Sequence, residues 1–247
     1  MGWMLLIAGA AWAHKPSFSA GEYGSADDAF FVAEPEISIV VYHEVTCDAS
    51  ELWLTFPIDT ETPLYVQLGV PVIDRLRDQR PAIAILAPGL PSLEGEDLPF
   101  DVPDDLGGLV YWTDDMGEEE YTFYEPFTQT ESWIYVEEYV DLPESGLGYV
   151  VAWNPDEMTG KLWVATGTVE DFSDVSPSDF SAWLPAVQTY HETAEDMPDP
   201  PEAESSCAQP EEEQKEVEAA TGCNAVVGGS AAAWLSVLLL GLRRRNH

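Results

Sequence analysis

Cations are scarce in this chain. Of its 247 residues only nine are Lys or Arg, against 46 Asp and Glu, a formal net charge of −37. Phosphate backbones are held by Lys and Arg arrayed on a face, so nucleic acid is excluded as a partner. Cysteine is scarcer still, with Cys47, Cys207 and Cys223 alone, and zinc-ribbon spacing is missing. Cys47 either stays a free, buried thiol or bridges to Cys207, which requires the segment carrying Cys207 to fold back. Histidine is limited to His14, His43 and His191 before the final residue, which leaves few bases for a serine or cysteine triad. No Gly-x-Ser-x-Gly elbow occurs, and Gly160-Lys161 is followed by Leu162 with no glycine at P-loop spacing, so it reads as a strand start.

What is present begins with two apolar ends. Residues 1–13 form a short hydrophobic run closing in Ala11-Trp12-Ala13, the small-x-small pattern read by a signal peptidase, so cleavage after Ala13 leaves His14 as the mature N-terminus. The run carries no basic n-region, and a buried N-terminal strand is the competing reading. At the other end, Thr221-Gly222-Cys223-Asn224 precedes an uncharged run from Ala225 to Leu242 and the cluster Arg243-Arg244-Arg245. Eighteen apolar residues at ~1.5 Å rise just cross a ~30 Å hydrocarbon core as a single C-terminal transmembrane helix. The arginines stay cytoplasmic, which places the body outside.

A Gly-Cys, a short span and a terminal Arg cluster together resemble the MYXO-CTERM sorting tails of myxobacterial and related proteins. The resemblance covers residues 221–247. It implies that a sorting protease acts near Gly222 and Cys223 and that the mature protein passes to the outer membrane or cell surface. An ordinary single-pass membrane anchor is the alternative.

Between the ends lie two regions. Residues 14–192 hold nine short runs rich in β-branched and aromatic residues: 37–46, 51–56, 64–68, 82–86, 109–113, 121–124, 132–136, 148–153 and 161–166. Their spacing predicts a mainly β domain, a β-sandwich or open barrel of about nine strands. Phe180, Trp183, Leu184, Val187 and His191 follow at helical spacing and predict one short helix, with Pro185 expected to kink or restart it. Residues 193–222, with Met197-Pro-Asp-Pro-Pro201 and Glu211-Glu-Glu213, read as an extended acidic stalk. From His14 to Gly222 the 46 acids face six cations, a formal charge of −40. A solvation coat is the first explanation of such a charge, and a cation site the second.

Two metals are conceivable. Calcium takes carboxylates in loops, and Asp114-Asp-Met-Gly-Glu-Glu-Glu120 has a glycine for the turn but lacks alternating Asp spacing. Copper is suggested by His14. A mature N-terminal histidine offers its α-amine and an imidazole to one ion, and His43 or His191 supplies a third nitrogen. This looks like the histidine brace of lytic polysaccharide monooxygenases and periplasmic copper carriers, which are exported β-sandwiches. The competing reading makes His14 a by-product of signal processing, His43 strand surface and His191 a helix-end contact. Trp53, Trp112, Trp133, Trp153 and Trp163 raise a carbohydrate-binding surface, but their placement inside strands favours the core. The overall expectation is a non-catalytic envelope or surface module that meets envelope components and the membrane. A copper-dependent oxidative protein and a carbohydrate- or calcium-binding module are the alternatives.

Overall fold

The computed structural model of the chain describes residues 14–114, 121–193 and 207. Its strands are β1 (Lys15–Ser19), β2 (Phe30–Phe31), β3 (Ile39–Val45), β4 (Glu51–Pro57), β5 (Leu64–Pro71) and β6 (Ala82–Ala87), then β7 (Gly107–Tyr111), β8 (Tyr121–Glu125), β9 (Thr130–Val140), β10 (Leu147–Trp153) and β11 (Gly160–Thr166). One helix, α1 (Pro177–Tyr190), follows. The strands form a six-stranded sheet ordered β1-β3-β11-β5-β9-β8 and a five-stranded sheet ordered β2-β4-β10-β6-β7. All nine runs read from the sequence are strands. The two further strands, β1 and β2, are among the described residues the only strands paired in parallel, with β3 and β4 respectively.

The sheets face one another across a shared core, which makes the domain a sandwich and not an open barrel. Val41, Leu68 and Leu162 of the six-stranded sheet meet Leu54, Ile85 and Val150 of the five-stranded one, all fully buried. Each such side chain contributes about 1.5–3 kcal/mol when withdrawn from water. Both outer faces are covered as well. Val40, Ile134, Trp163 and Val187 form a second cluster under α1. Trp53, Ala84 and Trp153 form a third, under the irregular segment that carries Leu98, Phe100 and Val102. Double coverage explains why β5 and β6 are buried at every residue and read as unbroken apolar runs.

Helix α1 starts where its cap dictates. Ser176 accepts from the Asp179 backbone N–H while the Asp179 carboxylate accepts from Ser176 N–H, a capping box, and Pro177 takes the first turn, where no amide partner is needed. Pro185 lies inside the helix without ending it. Its ring faces solvent, so the carbonyl deprived of its usual amide partner can be hydrated, and the helix is not restarted there. The segment after Pro71 supplies only a 3₁₀ turn at Asp74–Leu76.

Cys47 and Cys207 form a disulfide, so the free-thiol alternative is overturned. The chain at Cys207 returns to the sandwich, and its N–H donates to Glu157 O at 2.9 Å. No helix among the described residues is long and apolar enough to cross a membrane. The span read at residues 225–242, the signal segment 1–13 and the sorting residues Ala13, Gly222 and Cys223 lie outside the described residues.

Candidate functional site

Helix α1 is tied to the outer face of the six-stranded sheet by polar bonds as much as by apolar contact. Val187, 1% exposed, is its only buried residue. Tyr190 Oη shares its one proton between the carbonyls of His43 and Leu162, on adjacent strands β3 and β11, at 2.8 and 2.7 Å. Gln188 Nε2 donates to Thr128 O at 3.0 Å. At the helix C-terminus Lys161 Nζ donates to Tyr190 O and to Glu192 Oε1, both at 2.9 Å, and Arg75 pairs with the same carboxylate. A cation at that end meets carbonyls with no partner inside the helix and the negative end of its dipole.

Between α1 and the sheet lies a cavity of about 50 Å³. Val40, Tyr42, Trp163 and Val187 form part of its wall, Phe123, Phe127 and Trp183 another part, and Gln67, Thr130, Ser132, His191 and Glu125 its polar portion. A hydrogen-bond relay runs along one side. His191 Nδ1–H donates to Val187 O at 3.0 Å, which leaves Nε2 to accept from Ser132 Oγ–H at 3.1 Å, and Ser132 Oγ accepts in turn from Trp163 Nε1–H at 3.1 Å. A hydroxyl on a neutral imidazole oriented by an acceptor is what an activated serine requires. Here the tryptophan N–H occupies a lone pair on Ser132, and the same bonds clamp α1 to β9 and β11. The relay therefore works as a clamp.

Burial lowers His191 to about 4, with Lys161 adding repulsion, so the imidazole stays neutral near pH 7. His14, which lines the same cavity with Nδ1 at 2.5 Å from Ser38 Oγ, is lowered by burial to about 4 as well. Glu125 moves the other way. Burial raises its carboxyl, the Phe127 N–H it accepts opposes that, and the charge of Glu170 adds to it. Tyr42 is raised by burial first and by the Glu125 charge second. Among the described residues the buried side-chain atoms without a hydrogen-bond partner are Trp53 Nε1, Gln79 Oε1 and Thr166 Oγ1, none of which lines this cavity.

The three histidines read as metal ligands do not share one site. His14 precedes β1 and falls in register with Ser38, on the same face as Val40 and Tyr42, where His191 also arrives. His43 alternates with Val41 and Val45 and points to the opposite side of the sheet, where its Nε2 lies 3.1 Å from Ala49 O and its Nδ1 3.2 Å from Ser19 Oγ. The pleat separates His43 from the other two. Among the described residues no three His, Cys, Asp or Glu side chains gather closely enough to hold a metal ion. Of the loop read for calcium, residues 115–120 lie outside the described residues.

No family model matches this chain, and no curated protein matches it. Of the five tryptophans weighed for carbohydrate, Trp53, Trp133, Trp153 and Trp163 are buried in the three cores, and only Trp112 is exposed. It stands edge-on to Trp153 over an open acidic groove bordered by Asp97, Asp156 and the disulfide. Glu125, Gln67 and Ser132, which the sequence reading passed over, carried a signal. Each is a polar residue next to or inside an apolar run, as in Leu64-Tyr-Val-Gln-Leu68.

Proposed function

We propose that this chain is a non-catalytic protein of the cell envelope. The acidic sandwich is exported through residues 1–13, parts from them between Ala13 and His14, and is delivered to the outer membrane or cell surface by the tail beginning at Gly222-Cys223. There it works by contact with envelope or surface components. The observation that carries this reading is the Cys47–Cys207 disulfide, because such bonds persist in oxidising compartments and are rare in the cytosol. With a separation of 160 residues, it joins the middle of the segment 193–222 to the sandwich. The charge of −40 supports it too, since a dense carboxylate coat keeps an exposed module hydrated and apart from its neighbours. His43 and His191 have both ring nitrogens engaged in bonds of the fold, which favours contact over catalysis. Fractionation of the source cells tests the reading. The protein is expected in the envelope fraction, starting at His14 and ending near Gly222 or Cys223. Recovery from the cytosol with Met1 and the terminal arginines intact would sink it.

A copper-binding reading has one observation in its favour, that His14 and His191 line the same cavity. Copper would have to displace Ser38 from His14 Nδ1 and Ser132 from His191 Nε2. Protein starting at His14 is then expected to bind one Cu(II) with nitrogen-rich coupling in its paramagnetic resonance spectrum. One extra residue ahead of His14 should remove most of that affinity, and His43→Ala should leave it alone. Unchanged affinity in the extended form would rule the brace out.

A further inference from the structure

The cavity beneath α1 combines three features that the clamp does not require. First, five aromatic side chains line it: Tyr42, Phe123, Phe127, Trp163 and Trp183. Second, one acid lines it, Glu125, and no Lys or Arg does. Glu125 has no ion pair among the described residues, and the only bond its carboxylate makes there is from the Phe127 N–H. Third, the mouth is apolar and open to solvent. Phe127 is 44% exposed and meets Phe180 edge-on at 6.3 Å, and Phe180 in turn meets Trp183 at 5.1 Å.

We propose that this cavity binds the methylated head group of a small organic cation, a quaternary ammonium, between its aromatic wall and Glu125. The proposal rests on the reading of the sandwich as a contact module and names the class of ligand it takes.

The chemistry selects among cations. A divalent metal needs several oxygens around it, and one carboxylate does not provide them. A primary ammonium needs acceptors for three N–H groups. Of the lining hydroxyls, Thr128 and Thr130 bond each other at 2.8 Å and Ser132 bonds His191 and Trp163, so a primary ammonium would be left with Glu125, Gln67 and Tyr42 as acceptors. A quaternary ammonium donates no hydrogen bond and is drawn to ring faces and to a nearby negative charge. Both cavity histidines are neutral near pH 7, so neither opposes it. Burial and the Glu170 charge leave the Glu125 carboxylate in want of a positive partner, which the head group supplies. An anion meets Glu125 and the −40 of the surrounding protein, and is turned away.

Titration calorimetry on the full chain, in a non-ionic detergent, tests this with choline chloride and its neutral carbon isostere 3,3-dimethylbutanol. Ionic strength is held constant with sodium chloride, which separates a site from general screening. Choline is expected to bind saturably and at least about tenfold more tightly than the isostere, with a coupled loss on Glu125→Gln of about tenfold for choline and none for the isostere. Trp183→Ala, at the solvent edge of the cavity, is expected to weaken choline as well and serves as the second variant should Glu125→Gln fail to fold. Equal affinity for choline and isostere would mark a simple apolar cavity and overturn the proposal. So would the absence of saturable choline heat, or a folded Glu125→Gln that binds choline as the parent does. None of these outcomes bears on where the protein resides, which fractionation reads separately.

Discussion

Reduction of the Cys47–Cys207 disulfide lowers the unfolding temperature of the sandwich by roughly 4–16 °C. The bond closes a loop of 160 residues. In the chain-entropy account a loop that long restricts the unfolded chain by roughly 5 kcal/mol, and typical measured gains are about 2–4 kcal/mol. For a domain of this size each kcal/mol shifts the midpoint by about 2–4 °C. Cys47→Ser and Cys207→Ser should each reproduce the shift, and reductant should do nothing further to either. The bond also holds Cys207 beside Glu157, next to the open groove under Trp112, so its loss should free the stalk at that point. A midpoint indifferent to reductant would mean that Cys47 and Cys207 are not bonded in the folded protein.

The second large effect is expected at Gly69. The Trp163 indole lies directly over it, and a Cβ there would sit 2.2 Å from Trp163 Cζ2 and 2.5 Å from Cε2, far inside contact distance. Gly69 also follows the irregularity in the β5–β9 pairing, between Leu68 and Gly69, which sets the residues of β9 that face the cavity. Gly69→Ala forces the indole off the sheet and costs about 1–3 kcal/mol by overpacking, and Gly69→Leu more. The displaced ring also loses its bond to Ser132, so the clamp on α1 weakens with it. In a Trp163→Ala background Gly69→Ala should cost little, since the ring it strikes has gone. Denaturant unfolding of the four proteins in this cycle gives the coupling, and simple additivity would contradict the proposed contact.

The strands were legible because each is a short β-branched or aromatic run bounded by turn residues, and the runs at 51–56 and 148–153 differ from β4 and β10 by one residue at an end. β1 was hidden because Lys15-Pro16-Ser17 carries no apolar alternation, and β2 because two residues carry no period at all. Pro185 does not restart the helix because its effect depends on which side of the helix it occupies, and that is fixed by α1 docking on Val187. The cavity was out of reach for a different reason. Ser132, Trp163 and His191 lie 28 to 59 positions apart and meet only because β11 enters the sheet between β3 and β5 and α1 returns across it. His14 lying on that face and His43 being excluded from it follow from the register of β1 on β3, and His191 reaches it from the end of α1.

The envelope account is tested most directly by peptide mapping, without reduction, of the protein recovered from its own cells. The account predicts that it is found in the envelope fraction, with an N-terminal peptide starting at His14 and the peptides of Cys47 and Cys207 joined by their disulfide. Both thiols free, in a cytosolic chain that begins at Met1, would contradict it.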